Sequence, residues 1–93
     1  MKPITNLVNE ILAVADLEGL ISMGAPEDEY LVEAEPIAAF IIHNHNHNHL
    51  NDLILADNIQ YVFLRYFADL IDYDLCYLVA KEIMNQLIEQ KLF

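Results

Sequence analysis

Ninety-three residues make one domain, 1–93, with an adequate but small core, since a chain of this size buries only about 60 to 70% of its unfolded surface. An apolar content of 56% excludes disorder despite a net charge of −11. Four lysines and arginines against fifteen carboxylates argue against nucleic acid and anionic membrane as direct ligands, both of which demand cationic side chains. The imbalance is also uneven: 62 consecutive positions between Lys2 and Arg65 hold ten carboxylates and no lysine or arginine, so the natural complement is a basic protein surface.

The first element is a helix from Pro3 to Ala15. Ile4, Leu7, Val8, Ile11, Leu12 and Ala15 fall on one face, and Pro3 suits a first turn. Gly19 and Gly24, the chain's two glycines, then punctuate the stretch from Asp16 to Glu29 together with Pro26. An ordered loop is expected there, because Leu17, Leu20, Ile21 and Met23 need burial. A second helix starts between Leu31 and Pro36. Proline is best tolerated in a first turn, which pulls the start toward Glu35 and turns Ile37, Phe40 and Ile41 inward. Carboxylates at 27 to 35 then sit at the positive end of the helix dipole, where each contributes about 0.3 to 1 kcal/mol.

A third helix over Asn51 to Leu70 carries Leu55, Ile59, Val62, Phe63, Tyr66 and Phe67 on its inward face. The last, from Tyr73 to Lys91, turns Cys76, Val79, Ala80, Ile83, Leu87 and Met84 inward, with Asp72 or Asp74 as N-cap. A strand over Tyr61 to Phe67 is disfavoured, because the 3.6-residue period continues on both sides and no other segment offers a partner. The fold class is therefore all-α: a small four-helix bundle with an ordered Gly/Pro loop between its first two helices.

Between the second and third helices lies the low-complexity run His43, Asn44, His45, Asn46, His47, Asn48, His49. In a helix, His43 and His47 stack at i, i+4, as do His45 and His49, giving two clamps on different faces; in an extended segment all four imidazoles project to one side. Imidazoles suit Zn, Cu, Ni or Co, and the alternation resembles the histidine-asparagine tags used for metal capture. The spacing is not that of a specific zinc motif. The run is open to three readings: an exposed helix end or loop, an adventitious metal-binding segment, or a metal site of His43, His45, His47 and His49.

No reaction is indicated. There is no Gly-rich phosphate loop and no serine nucleophile motif, Ser22 being the chain's one serine, and Glu27, Asp28 and Glu29 lack the ligand alternation and central glycine of a calcium hand. A non-enzymatic protein is expected. The single Cys76 permits no internal disulfide and sits in an apolar stripe with no adjacent cation to activate it. No signal-peptide stretch or membrane span is evident, so a cytoplasmic location is expected. Tyrosine among carboxylates is a common recipe for a protein-binding face, and Tyr30 and Tyr73 are the expected exposed candidates, whereas Tyr66 and Tyr77 read as core or core-edge.

The stretch ADLEGLISMGAPEDEYLVEAEPI, Ala15 to Ile37, resembles the signature of small helical Bacillus-type proteins of unknown function. These carry an Asp-Pro-Leu-Gly-like element, a Pro-x-x-x-Tyr element and an acidic helix start; Asp16, Gly19, Pro26 and Tyr30 match. DYDLCYLVAKEIMNQL, Asp72 to Leu87, is similar to that family's final helix. Ala15 stands where the family usually has tryptophan and Leu17 where it has proline, and the His-Asn run is foreign to it. Related acidic helical proteins resemble immunity proteins that neutralise toxins encoded beside them. The resemblance implies a non-enzymatic binder.

Together these observations predict an inhibitor of immunity or phage type that covers a basic, nucleic-acid-binding surface of a partner such as a nuclease. Asp16, Glu18, Glu27, Asp28, Glu29, Tyr30, Glu33 and Glu35 are its expected contact residues. A metal-binding module built on the His-Asn run and a homodimer through the aromatic face of Tyr61 to Phe67 are the alternatives.

Overall fold

A computed structural model describes residues 2–93, of which the side chain of Lys2 is left out. Four helices account for the regular structure of the described residues: α1 (Lys2–Ala15), α2 (Leu31–Asn46), α3 (Asp52–Phe67) and α4 (Tyr73–Glu89). Each packs on its two neighbours in a closed ring, α1 on α2, α2 on α3, α3 on α4 and α4 on α1, with no close backbone approach across the diagonals among the described residues. The start of α1 lies beside the end of α2 and the segment following α4, where Ile4, Ile42 and Leu92 line one concavity, so neighbours run antiparallel. Connections of five residues between α2 and α3 and between α3 and α4 favour the same arrangement.

The core is a column of side chains spaced three and four apart on each helix. Leu7, Val8 and Leu12 come from α1, Ile37 and Ile41 from α2, Leu55, Ile59 and Phe63 from α3, and Ile83 and Leu87 from α4. Burying one such side chain contributes about 1.5 to 3 kcal/mol, and it is this stripe rather than helix propensity that holds short helices in water. Alanines Ala34, Ala38, Ala56 and Ala80 are also fully buried, and their small size lets the helix backbones approach. Cys76 lies in this core, and burial, followed by the charge of Asp72, pushes its thiol up to about 11.

Helix ends follow local chemistry. Asn51 caps α3 by accepting from the Ile54 amide at 2.9 Å, and Asp72 caps α4 by accepting from the Asp74 amide at 2.8 Å. Ala68, with φ 53°, stops α3 three residues short of the expected Leu70. α4 ends at Glu89, ahead of Lys91.

Several expectations need correction. α2 begins at Leu31, the earliest of the expected starts and not the favoured one near Glu35, so Pro36 lies in its second turn, inside the helix. Proline cannot donate to the carbonyl four residues back, and the helix continues because that residue, Val32, sits on the exposed face where water can take the place of the lost donor. Ala15 is exposed at the end of α1 rather than inward, and Met23 is exposed although its neighbours Leu17, Leu20 and Ile21 pack against the core. Tyr66, expected inward, is 46% exposed in the last turn of α3, although it lies on the same side of the helix as the buried Val62 and Phe63. Among the described residues no helix is long and apolar enough to cross a membrane.

Candidate functional site

The acid-rich segment of residues 16–30 joins α1 to α2, and its shape is organised by one carboxylate. Asp16 follows α1 with φ 48°, a left-handed conformation that aspartate tolerates better than most residues. From there its side chain reaches across the loop. Oδ1 accepts from the Ile21 amide at 3.0 Å and from the Tyr30 hydroxyl at 2.7 Å; Oδ2 accepts from the Ser22 amide at 2.9 Å and the Ser22 hydroxyl at 2.8 Å. Burial alone would raise its pKa, but these donors outweigh burial and hold it well below the usual carboxylate range. Gly24, with φ +100°, lets the chain turn back toward α2 where a side chain would be strained.

Tyr30 closes the loop from the other end. Its relative exposure is 0%, and its ring lies 6.0 Å from that of Phe63 and 6.3 Å from that of Phe67. The hydroxyl donates to Asp16 and accepts from the Glu18 amide at 3.0 Å. Burial and then the bond to Asp16 push its pKa up to about 12. The expectation that Tyr30 is exposed is thus overturned: a large ring beside α3 gains more from burial than from display, and Asp16 satisfies the polar end that burial would otherwise strand.

Three of the eight expected contact residues are therefore occupied within the fold or buried. Asp16 has its carboxylate occupied by the loop, Tyr30 is in the core, and Glu33 is only 5% exposed, with Oε1 lacking a hydrogen-bond partner. Burial, reinforced by the charge of Glu29, raises the pKa of Glu33. Glu18 is half-buried, and its Oε2 is buried without a donor. Burial first, then the carboxyl of Asp69, push Glu18 up to about 7. A protonated Glu18 can donate to Asp69, whereas two ionised carboxylates only repel. This pair lies between the 16–30 loop and the α3–α4 connection.

The exposed remainder is Glu27, Asp28, Glu29 and Glu35. Glu27 and Asp28 border a concavity that also takes in Asn9, Glu10, Val14 and Ile21. Glu10 and Val14 belong equally to an adjoining groove of about 450 Å³ between α1 and α4. The acidic loop therefore runs into a largely apolar cleft not expected from the sequence; its signals were Val14 and Leu78, apolar residues off the inward faces of α1 and α4. Tyr73 is half-buried, its hydroxyl donating to the Leu53 carbonyl at 3.3 Å, and burial together with Asp57 raises its pKa.

α2 carries His43 and His45 in its last turn, with His47 at its C-cap and His49 beyond. His43 and His47 face each other with ring centres 4.4 Å apart, and His47 Nδ1 donates to the His43 carbonyl at 2.8 Å. His45 points elsewhere and stacks on Phe93, ring centres 3.8 Å apart and planes 4° from parallel. The helix thus turns His45 away from the His43–His47 pair, and among the described residues no three histidine, cysteine or acidic side chains are gathered as a metal-ligand group. Comparison with protein-family models, curated proteins and solved structures finds no match.

Proposed function

We propose that this chain is a non-enzymatic, acidic protein-binding inhibitor of immunity or phage type, acting in the cytoplasm on a basic, nucleic-acid-binding partner such as a nuclease. The observation that carries the reading is the display of Glu27, Asp28 and Glu29, all exposed, on a turn whose two ends are tied together by Asp16 and Tyr30. A loop fixed in advance loses little conformational freedom when it binds, so more of its electrostatic attraction becomes affinity. Carboxylates at such a site stand in for phosphates, and a net charge of −11 steers a cationic partner toward them at rates that fall with salt. Glu35, exposed on α2, extends the acidic surface, and Asp16 and Tyr30 support it from beneath.

The test is affinity capture with the wild-type protein and with a Glu27→Lys, Asp28→Lys, Glu29→Lys variant, followed by a competition assay. The expected outcome is a basic protein retained by wild type, eluted by salt and lost from the variant, whose nucleic-acid binding the wild-type protein inhibits. Retention of the same partner by the triple variant would remove these residues from the interface. Capture without any effect on nucleic-acid binding would remove the inhibitor role.

A further inference from the structure

The groove between α1 and α4 has the form of an interface centre. Val14 is 89% exposed and Leu78 61% exposed, and both line it together with Leu7, Ile11 and Val79. Two carboxylates, Glu10 of α1 and Glu82 of α4, share that lining. Exposed apolar side chains interleaved with charged ones mark a protein-binding surface. Along α4 the lining runs from Leu78 to Gln90, which at 1.5 Å per residue spans about 18 Å, or three helical turns.

We propose that this groove receives one amphipathic helix of a partner, about three turns long, with an apolar ridge flanked on both sides by lysine or arginine. Both walls are helices whose backbone groups are bonded internally, so among the described residues there is no sheet edge on which an extended strand could be added, and a helix laid between two helices is the mode that this groove fits. The occupant's charge follows from the two carboxylates in the lining. A second copy of this chain would bring its own −11 charge to a groove that already holds Glu10 and Glu82. A cationic flank meets both of them, and beyond the groove it meets Glu27 and Asp28, which border the adjoining concavity. The inference deepens the proposed function and rests on its basic partner, while adding an apolar anchor that charge alone does not require.

The probe is a synthetic 14-residue amidated peptide with leucines at i, i+3, i+4 and i+7 and lysines flanking that face, labelled with fluorescein and titrated with protein by anisotropy. Two control peptides share its composition in scrambled order or replace every lysine with glutamate. The helix-patterned peptide is expected to bind at least tenfold tighter than the scrambled one, and the glutamate peptide not to bind. Leu78→Glu and Val14→Asp alter exposed side chains and leave the core alone; each is expected to weaken the patterned peptide tenfold or more, with unchanged far-UV circular dichroism as the folding check. Glu10→Gln with Glu82→Gln is expected to weaken it severalfold and to flatten its salt dependence.

Equal binding of the patterned and scrambled peptides would overturn the groove while leaving a purely electrostatic acidic face intact. Undiminished binding to Leu78→Glu and Val14→Asp, combined with loss on Glu27→Lys with Asp28→Lys, would do the same by locating the peptide on the loop. Failure of the patterned peptide to bind wild type at low salt would overturn the groove directly, and the acidic-face reading would still answer to partner capture.

Discussion

Replacing Tyr30 by phenylalanine isolates the bond that closes the 16–30 loop. The ring remains, and with it the packing on Phe63 and Phe67, so the apolar contribution is unchanged. What disappears is a hydroxyl that donates to Asp16 at 2.7 Å and accepts from the Glu18 amide at 3.0 Å. A hydrogen bond to an ionised group is worth about 1.5 to 3 kcal/mol net, and the stranded Glu18 amide adds to the loss, so Tyr30→Phe should destabilise the protein by about 2 to 3 kcal/mol. Unfolding entropies near 2.1 cal/mol/K per residue turn this into a fall in Tm of about 10 to 15 °C. In urea at pH 7 the midpoint should fall by about 1 to 2 M with the slope m unchanged, because no additional surface is exposed. Tyr66→Phe, altering an exposed hydroxyl, serves as the control and should stay within about 0.5 kcal/mol of wild type. Asp16→Asn combined with Tyr30→Phe should destabilise by less than the two changes added separately, since both remove the same bond. A Tyr30→Phe protein as stable as the Tyr66→Phe control would refute the idea that this hydroxyl holds the loop.

Two further outcomes concern other parts of the frame. Glu18 keeps its proton up to about pH 7 in the folded state but loses it near pH 4.5 in the unfolded chain, so between those values the folded state binds the extra proton and stability falls as pH rises. The slope is at most about 1.4 kcal/mol per pH unit, reduced by solvent at this half-buried site, and Glu33 acts in the same direction. Glu18→Gln supplies a permanent donor to Asp69, so chemical denaturation at pH 5, 6 and 7 should show a flatter profile for the variant; matching slopes would dismiss the pair. Pro36→Ala restores a donor to the Val32 carbonyl within α2 at the loss of some unfolded-state restriction, and should stabilise by about 1 kcal/mol, raising Tm by roughly 5 °C. A lower melting temperature would mean that the proline ring's own packing outweighs the missing bond.

The helices were legible because burial imposes a spacing that can be counted: Leu7, Val8 and Leu12, or Ile59, Val62 and Phe63, can meet a core from one helix in only one way. The cap of α4 was legible to within two candidates, Asp72 and Asp74, for a similarly local reason, the Asp72 bond spanning two residues. Asp16 and Tyr30 were not. Fourteen residues separate them, and before folding Asp16 is chemically indistinguishable from Asp28, which stays exposed. Glu33 was hidden by the same ambiguity, since its burial follows from where α2 starts, and Pro36 pointed to a later start. The groove escaped because it belongs to two helices far apart in the chain; each alone shows only scattered exposed apolar residues such as Val14 and Leu78, which are ordinary on protein surfaces.

Because the Asp16–Tyr30 tie is made inside the loop and none of its bonds uses a side chain from 27 to 29, the loop separates what is held from what is shown. Residues at 27, 28 and 29 can change identity without disturbing the closure beneath them. Under the proposed function, a lineage facing a changing partner revises this acidic tip by single substitutions at little cost in stability, whereas Asp16 and Tyr30 are exchanged only together. The loop is built to be rewritten at its tip.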